Sequence, residues 1–288
     1  MSSVLGTYAR KAISFKEGKG SYLYSENGEK YLDFVQGIAT NILGHCHEHL
    51  VNTIQNQAQK LWHVSNAFII PDQERLAKRL TDNTFADFVC FQNSGTEATE
   101  ASIKIARKYF HKIGKPEKNR IITFQGAFHG RTFGSLSATS PKKYRYGFYP
   151  LTPGFKSVTF NDIDKLEALV KKDKKIAAII VEPIQGEAGV KFSNKGFLKK
   201  IELICKTYNI LFIVDEVQVG IGRTGKTFCH EHYNISPDII TLAKALGGGL
   251  PCGAMLVNPR FSDFLTPGSH GTTTVSYTHL TLPTKRIV

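Results

Sequence analysis

Short runs of consecutive apolar residues alternate with longer helical patterns between residues 88 and 257. A run such as Ala177–Val181 has no polar position, which is typical of a strand that is buried on both faces. The pattern predicts strands at Phe88–Phe91, Ile121–Phe124, Ser157–Phe160, Ala177–Val181, Ile210–Val214, Ile239–Leu242 and Ala254–Val257. It predicts helices near Glu97–Phe110, Ile163–Lys172 and Gly196–Tyr208. Such an alternation indicates an α/β fold with a mostly parallel central sheet covered by helices.

The first sixty residues have a different pattern. The segment Gly20–Asp33 predicts a hairpin, because Asn27-Gly28 is a favoured pair for a tight two-residue turn. A helix is predicted over His49–Leu61. This part of the chain therefore does not continue the alternating pattern of the central sheet.

Polar or glycine-rich motifs follow several of the predicted strands directly. In sheets of this kind, ligands bind beyond the carboxyl ends of the strands. The motifs that share this position are Asn93–Thr96, Phe128–Arg131, Glu182–Glu187, Asp215–Gln218 and Lys244. Their common position predicts a single active site at one edge of the sheet.

Two of these residues suggest a particular chemistry. Lys244 follows the apolar run Ile239–Leu242 and precedes three glycines, and Asp215 ends another apolar run. An amine that can form a Schiff base and a carboxylate that can hold a pyridinium nitrogen are the groups that pyridoxal 5′-phosphate (PLP) chemistry requires. Taken alone, Asp215 is as consistent with a structural carboxylate that accepts backbone N–H groups.

Together with Asn93-Ser-Gly-Thr-Glu97, Ala127-Phe-His-Gly-Arg-Thr132 and Val181-Glu-Pro-Ile-Gln-Gly-Glu187, these segments resemble the class III aminotransferases, from about Tyr8 to Thr273. The resemblance implies a fold type I PLP-dependent transferase. Residues 1–60 would be the N-terminal part of a small α+β domain, and residues 61–273 the large PLP-binding domain. The last segment, residues 274–288, matches nothing in the family and has no acidic residue, and we predict that it is a non-native tail.

The resemblance also implies roles for individual residues. Lys244 would be the catalytic lysine, and Arg131 would hold a substrate carboxylate. The residues expected to bind PLP are Gly95, Thr96, Phe128, Asp215, Glu216, Val217, Gln218, Lys244 and Thr273; those expected to bind substrate are Arg131, Glu187 and Thr272. Ser94 and Glu97 also fit a helix-capping box, so capping is an alternative role for their motif.

The implied reaction transfers the terminal amine of an ω-amino acid to 2-oxoglutarate in a homodimeric enzyme. N-acetylornithine is the expected donor, and ornithine, 4-aminobutyrate and succinylornithine are the alternatives. The implied pathway is arginine biosynthesis.

Two further motifs point to other kinds of site. The segment Gly220–Thr227 satisfies both G-x-G-x-x-G and the P-loop pattern, so a nucleotide-binding protein that uses Lys226 and Thr227 is the alternative from another class. That function requires the loop to lie directly between a strand and a helix, which the sequence does not favour. The cluster His45-Cys-His-Glu-His49 resembles a metal site, but no second group of ligands follows it, and we expect no metal.

Net charge, cysteine content and the N-terminal sequence further limit the expected partners and cellular location. The net charge is +13, but the basic residues are scattered, and we expect neither a nucleic-acid partner nor a membrane partner. The five cysteines are odd in number and contain no C-x-x-C pair, which favours reduced thiols in the cytoplasm. No secretory signal is visible at the N-terminus.

Overall fold

The computed structural model describes residues 3–272. Thr273 and the predicted tail, residues 274–288, lie outside the described residues. The chain begins with a small antiparallel sheet, in the order β1 (Phe15–Lys19), β2 (Tyr22–Ser25) and β3 (Lys30–Leu32). The predicted hairpin is formed by β2 and β3, and Gly28 adopts the positive φ of 80° that the tight turn requires. Strand β1 was not predicted, because its sequence is mostly polar.

Three helical segments lie between this sheet and the main body. They are α1 (Gln36–Ala39), α2 (Glu48–Ala58) and α3 (Pro71–Thr81). Segment α1 is a left-handed turn, with φ of 50° at Gln36 and 61° at Ile38. The predicted helix over His49–Leu61 corresponds to α2.

The main body contains the remaining elements, which alternate strands and helices. In chain order they are β4 (Phe88–Gln92), α4 (Gly95–Lys112), β5 (Arg120–Phe124), α5 (Phe133–Ala138), α6 (Lys142–Arg145), β6 (Phe155–Val158), α7 (Ile163–Lys172), β7 (Ile176–Val181), β8 (Ile184–Gln185), β9 (Lys191–Phe192), α8 (Phe197–Tyr208), β10 (Leu211–Asp215), β11 (Ile239–Leu242) and β12 (Gly253–Val257). Strands β8 and β9 form a separate antiparallel pair.

The other strands form one seven-stranded sheet in the order β4-β12-β11-β10-β7-β5-β6. Strand β12 is antiparallel to both of its neighbours, and the remaining strands run in one common direction. The predicted α/β fold with a mostly parallel sheet is therefore confirmed. All the predicted strands are present, although β6 begins and ends two residues earlier than predicted, because Phe155 pairs with Ile121 of β5.

The core lies on both faces of this sheet. Every residue of β7 is buried, and from Ala178 to Val181 its side chains alternate between two clusters. Ile179 and Val181 pack with residues of α7 and α8, whereas Ala178 and Ile180 pack with residues of α4. This burial accounts for the unbroken apolar run in the sequence, since neither face of the strand contacts water. Among residues 3–272, no helix is both long and apolar enough to cross a membrane.

Candidate active site

A cavity of about 430 Å³ lies at the carboxyl ends of the parallel strands. Its wall contains residues that follow β4, β5, β7, β10 and β11, so the strand-end motifs do converge. The predicted site residues that line it are Gly95, Thr96, Phe128, Arg131, Glu187, Asp215, Val217, Gln218 and Lys244. This cavity is the candidate active site.

Lys244 follows β11 directly and lies among buried neighbours, including Ala243 and Ala245. Burial lowers the pKa of the Lys244 amine below its usual value, although the carboxylates of Asp215 and Glu187 act in the opposite direction. A lowered pKa leaves more of the amine neutral, and only the neutral amine is a nucleophile or a base. The backbone of Lys244 has a φ of 48°, a conformation that is uncommon outside glycine.

Asp215 is the last residue of β10, and its side chain is 4% exposed. Its Oδ2 accepts a hydrogen bond from Nδ1 of His129 at 2.7 Å, and its Oδ1 accepts one from the backbone N–H of Val217 at 3.0 Å. Burial alone would lower the pKa of His129, but the hydrogen bond and charge of Asp215 outweigh burial and raise it. The cavity thus contains a buried carboxylate with a fixed orientation.

Two titratable residues of this site were not assigned a role from the sequence: His129 and Glu182. Oε2 of Glu182 accepts a hydrogen bond from the backbone N–H of Phe128 at 3.1 Å. Burial, with a smaller contribution from Asp215, raises the pKa of Glu182 to about 8. Both residues lie within strand-end motifs that were identified from the sequence. Titratable side chains at that position are the feature by which sequence reasoning could have found them.

The beginning of α4 forms another part of the wall. Ser94 caps this helix: its Oγ accepts a hydrogen bond from the N–H of Glu97 at 3.4 Å and donates one to Oε2 of Glu97 at 2.7 Å. The cap leaves the N–H groups of Gly95 and Thr96 without an acceptor in the described part of the chain. A Cβ atom at Gly95 would lie 2.6 Å from Cγ1 of Val217, so only glycine fits there. Capping and an anion site are therefore compatible.

Arg131 and Glu187 differ from the buried groups of the cavity, because both are exposed. The Arg131 guanidinium lies 4.2 Å from the centre of the Tyr144 ring and 5.4 Å from that of Phe128. Neither Arg131 nor Glu187 has an ion pair within residues 3–272. Tyr144, which helps to orient Arg131, was not predicted from the sequence.

Two further predicted site residues, Glu216 and Thr272, do not line the cavity. The carboxylate of Glu216 is buried behind Asp215, where it accepts hydrogen bonds from the N–H groups of Cys229 and His230. Adjacent residues at the end of a strand point in opposite directions, so Glu216 faces away when Asp215 faces the cavity. Oγ1 of Thr272 accepts a hydrogen bond from Nδ2 of Asn93 at 2.8 Å, one residue removed from the cavity. The predicted site residue Thr273 lies outside the described residues.

Comparison with known proteins gives the family. The family described as aminotransferase class III matches residues 7–276 of the chain. The chain belongs to the class III aminotransferases. Among curated relatives, an acetylornithine aminotransferase of Agrobacterium fabrum is 50% identical over 267 residues, which are 93% of this chain and 66% of the relative. The chain thus spans about two thirds of the length of that relative.

Solved structures agree with this assignment. An N-acetylornithine aminotransferase from Stenotrophomonas maltophilia K279a has a TM-score of 0.80 and 36% identity, with 95% of this chain and 68% of that chain covered. An ornithine aminotransferase from Toxoplasma gondii has a TM-score of 0.92 and 33% identity, with 97% and 67% covered. That crystal, grown with oxidised glutathione, contains PLP at partial occupancy in the active site.

In this class III aminotransferase, the glycine loop Gly220–Gly225 is not a nucleotide site. It is separated from β10, and a short 3₁₀ helix, Cys229–Tyr233, follows it in place of an α-helix. Lys226 and Thr227 do not line the cavity. Instead, Arg223 donates hydrogen bonds to Oε1 of Gln36 at 2.9 Å and to the carbonyl of Ala39 at 3.3 Å. The nucleotide-binding alternative is therefore wrong.

The histidine cluster also has a structural role. Nε2 of His45 lies 2.7 Å from Oδ2 of Asp33 and so connects two parts of the N-terminal region. Within residues 3–272, no group of three or more histidine, cysteine, aspartate or glutamate side chains is arranged to hold a metal ion.

Proposed function

We propose that this chain carries the active site of an acetylornithine aminotransferase, a PLP-dependent enzyme that transfers the terminal amino group of N-acetylornithine to 2-oxoglutarate. The observation that carries the proposal is the presence of Lys244 and Asp215 in one cavity, with the amine at a lowered pKa and the carboxylate buried. The 50% identity to an enzyme of that name supports the choice of substrate.

The residues of the cavity fit PLP chemically. Asp215 offers a buried carboxylate for the pyridine nitrogen, and Lys244 offers an amine for the aldehyde. The free N–H groups of Gly95 and Thr96 suit a phosphate, because helix N-termini carry partial positive charge. Phe128 and Val217 are apolar residues on the wall and suit the faces of a ring. The remaining predicted residue of the wall, Gln218, offers an amide for the phenolic oxygen.

When bound, the cofactor supplies an electron sink for the charge that develops on the substrate carbon as its proton leaves. The protein supplies the proton transfer and the orientation. Nζ of Lys244, with its lowered pKa, is able to take the proton from the substrate carbon and would deliver it to the C4′ carbon of the bound cofactor. Asp215 places a carboxylate at the buried end of the cavity, and the hydrogen bond from His129 fixes its orientation.

At the open end, Arg131 is the group that would bind a substrate carboxylate. Its planar guanidinium can form two parallel hydrogen bonds with a carboxylate, and it is free of other carboxylates in the described residues. Glu187 also stands at this end and carries a charge of the opposite sign. We propose that Thr272 contributes through Asn93, which does line the cavity.

The donor is tested by assay. The complete product of the gene that encodes this chain is supplied with 2-oxoglutarate and, in turn, with N-acetylornithine, ornithine, 4-aminobutyrate and succinylornithine. We expect the highest kcat/KM with N-acetylornithine. A higher kcat/KM with another donor would change the assigned activity to the aminotransferase of that donor. No turnover with any of the four donors would reject the proposal.

The proposal includes a homodimer that acts in arginine biosynthesis in the cytoplasm. The N-terminal region supports the dimer, since Phe34, Trp62 and Ile69 are 89%, 77% and 85% exposed and apolar surface of this kind favours association. The five thiols are all free, as expected in a reducing compartment. We retain residues 1–60 as part of a small domain and 61–273 as the large domain. Analytical ultracentrifugation of the complete gene product tests the dimer.

A further inference from the structure

The hydroxyl of Thr96 does not point to a free position in the cavity, although the residue was predicted to bind the cofactor. Its Oγ1 accepts hydrogen bonds from the backbone N–H groups of Arg131 at 3.2 Å and Thr132 at 3.3 Å. It also lies 2.6 Å from Oγ of Ser135 and 3.0 Å from Oγ1 of Thr132. One hydroxyl of α4 thus contacts the whole segment that carries Arg131.

Each hydroxyl proton of this cluster can be given an acceptor. Thr132 donates its proton to a carboxylate oxygen of Glu100, and Ser135 donates its proton to the backbone carbonyl of Thr132. The proton of Thr96 is then available for Oγ of Ser135, and its two lone pairs accept the two backbone N–H groups. Glu100 also accepts the N–H of Ser135 at 3.0 Å, which ties α5 to α4. Each group in the cluster has a partner, so the cluster holds α4, α5 and the segment of Arg131 together.

Gly130 shows how closely the segment approaches Thr96. Its φ is 135°, and a Cβ atom there would lie 2.2 Å from Oγ1 of Thr96. The backbone before Arg131 therefore passes directly over the hydroxyl, and no larger residue fits. The guanidinium of Arg131 then reaches the rings of Tyr144 and Phe128.

We propose that the Thr96 hydroxyl is a positioning group for Arg131: it holds the backbone of Arg131 and Thr132 against α4, so that the guanidinium stands where a substrate carboxylate binds. The inference rests on the proposed function for the identity of the ligand, a dicarboxylate such as 2-oxoglutarate. It assigns the side chain of Thr96 to the substrate end of the cavity and leaves its backbone N–H for the phosphate.

The chain offers a matched control on the same helix. Thr99 is 1% exposed, and its Oγ1 has no hydrogen-bond partner among the described residues. Replacing Thr99 with valine removes a hydroxyl without such a partner, whereas replacing Thr96 with valine removes one that accepts two backbone N–H groups. Thr96→Ser keeps the hydroxyl and serves as the conservative rescue.

The first measurement needs no ligand. Residue-resolved hydrogen exchange is recorded for the complete gene product and its Thr96→Val, Thr96→Ser and Thr99→Val variants. We expect the amides of Arg131 and Thr132 to exchange at least roughly tenfold faster in Thr96→Val, because they lose their acceptor, and to remain close to wild type in the other two. Equal exchange in Thr96→Val and wild type would overturn the proposal.

The second measurement separates the two ends of the cavity. Dissociation constants are measured for PLP, and for 2-oxoglutarate in the PLP-loaded protein. We expect Thr96→Val to weaken 2-oxoglutarate binding by roughly tenfold and PLP binding by less than about threefold, and Thr99→Val to change neither. An equal loss for both ligands would place the hydroxyl in the phosphate site and overturn the inference. If the wild type itself binds no PLP, the proposed function fails, while the exchange experiment still decides the role of Thr96.

Discussion

The two ends of the cavity are built on different principles. At the buried end, the side chains of Asp215 and His129 are 4% and 0% exposed and bind each other, and Glu182 holds the backbone of Phe128. At the open end, Arg131 and Glu187 are exposed and have no ion pair in the described residues. Charges act more strongly where water is excluded, so the buried end suits a permanently held cofactor. The open end has free charges, which suits two substrates that enter and leave in turn.

The largest effect is expected at the lysine that lies between the two ends. Lys244→Ala should abolish transamination, because no other lysine among the described residues lines the cavity to move the proton. Steady-state turnover measures the loss, and borohydride reduction followed by peptide mass spectrometry shows which lysine is bound to the cofactor. Lys226→Ala is the control, since Lys226 does not line the cavity. A pyridoxyl group found on Lys226 would contradict the assignment.

At the buried end, Asp215→Asn should leave the cofactor bound but slow turnover by roughly two to four orders of magnitude. The neutral amide cannot balance a protonated pyridine nitrogen, and loss of a buried charge pair costs on the order of 3–5 kcal/mol. The rate is measured at saturating cofactor. Asp238→Asn is the control, because Asp238 also accepts a backbone N–H, that of Phe212 at 2.8 Å, but lies outside the cavity. Near-normal kcat in Asp215→Asn would show that the carboxylate is only structural.

At the open end, the effect should be on binding more than on chemistry. Arg131→Gln should raise the KM for 2-oxoglutarate by roughly 10- to 100-fold with a smaller change in kcat, since hydrogen bonds to charged groups contribute about 1.5–3 kcal/mol. Lys143→Gln removes a charge that lies 4.8 Å from the same Tyr144 ring but does not line the cavity. If Lys143→Gln raised the KM as much as Arg131→Gln, the loss of any nearby positive charge would explain the result, and a specific contact of Arg131 with the carboxylate would be rejected.

The last effect is expected in stability rather than in catalysis, at Glu182. Its pKa in the folded protein, about 8, is above its ordinary value of 4.5, so the folded state keeps a proton that the unfolded state loses. The wild type therefore loses stability as the pH rises from about 4.5 to 8, whereas Glu182→Gln has no such ionisation. Urea unfolding of the cofactor-free protein measures the free energy of unfolding of both proteins. Relative to the wild type, that of Glu182→Gln should rise across this pH range by up to a few kcal/mol.

Glu202 provides the control of opposite sign. Burial alone would raise the pKa of its carboxyl, but Lys199, Lys206 and the N–H of Ser236 together lower it. Its ionised form therefore stabilises the fold above a pH of about 4.5, and Glu202→Gln should lose stability at neutral pH. If the difference between Glu182→Gln and wild type stayed constant from pH 5 to 8, the raised pKa would be refuted.

The central sheet could be predicted from the sequence, while several peripheral elements could not. Strand β7 has six consecutive buried residues, and an apolar run of that length between turn signals favours a strand covered on both faces. Strands β8 and β9 have two residues each, and helix α3 is largely polar, with only Leu76 and Leu80 buried. In these elements, hydrogen bonds and contacts with distant residues decide the structure, and a local pattern carries little of that information.

For the site, the sequence by itself determined which residues arrive at one edge of the sheet, because parallel strands bring their carboxyl ends together. It did not separate Asp215 from Glu216, which are adjacent but face opposite sides of β10. Nor did it show that the hydroxyl of Thr96 binds the segment of Arg131, 35 residues away along the chain. Only the tertiary structure decided these points, because the direction of a side chain and its partners depend on how separate elements pack against each other.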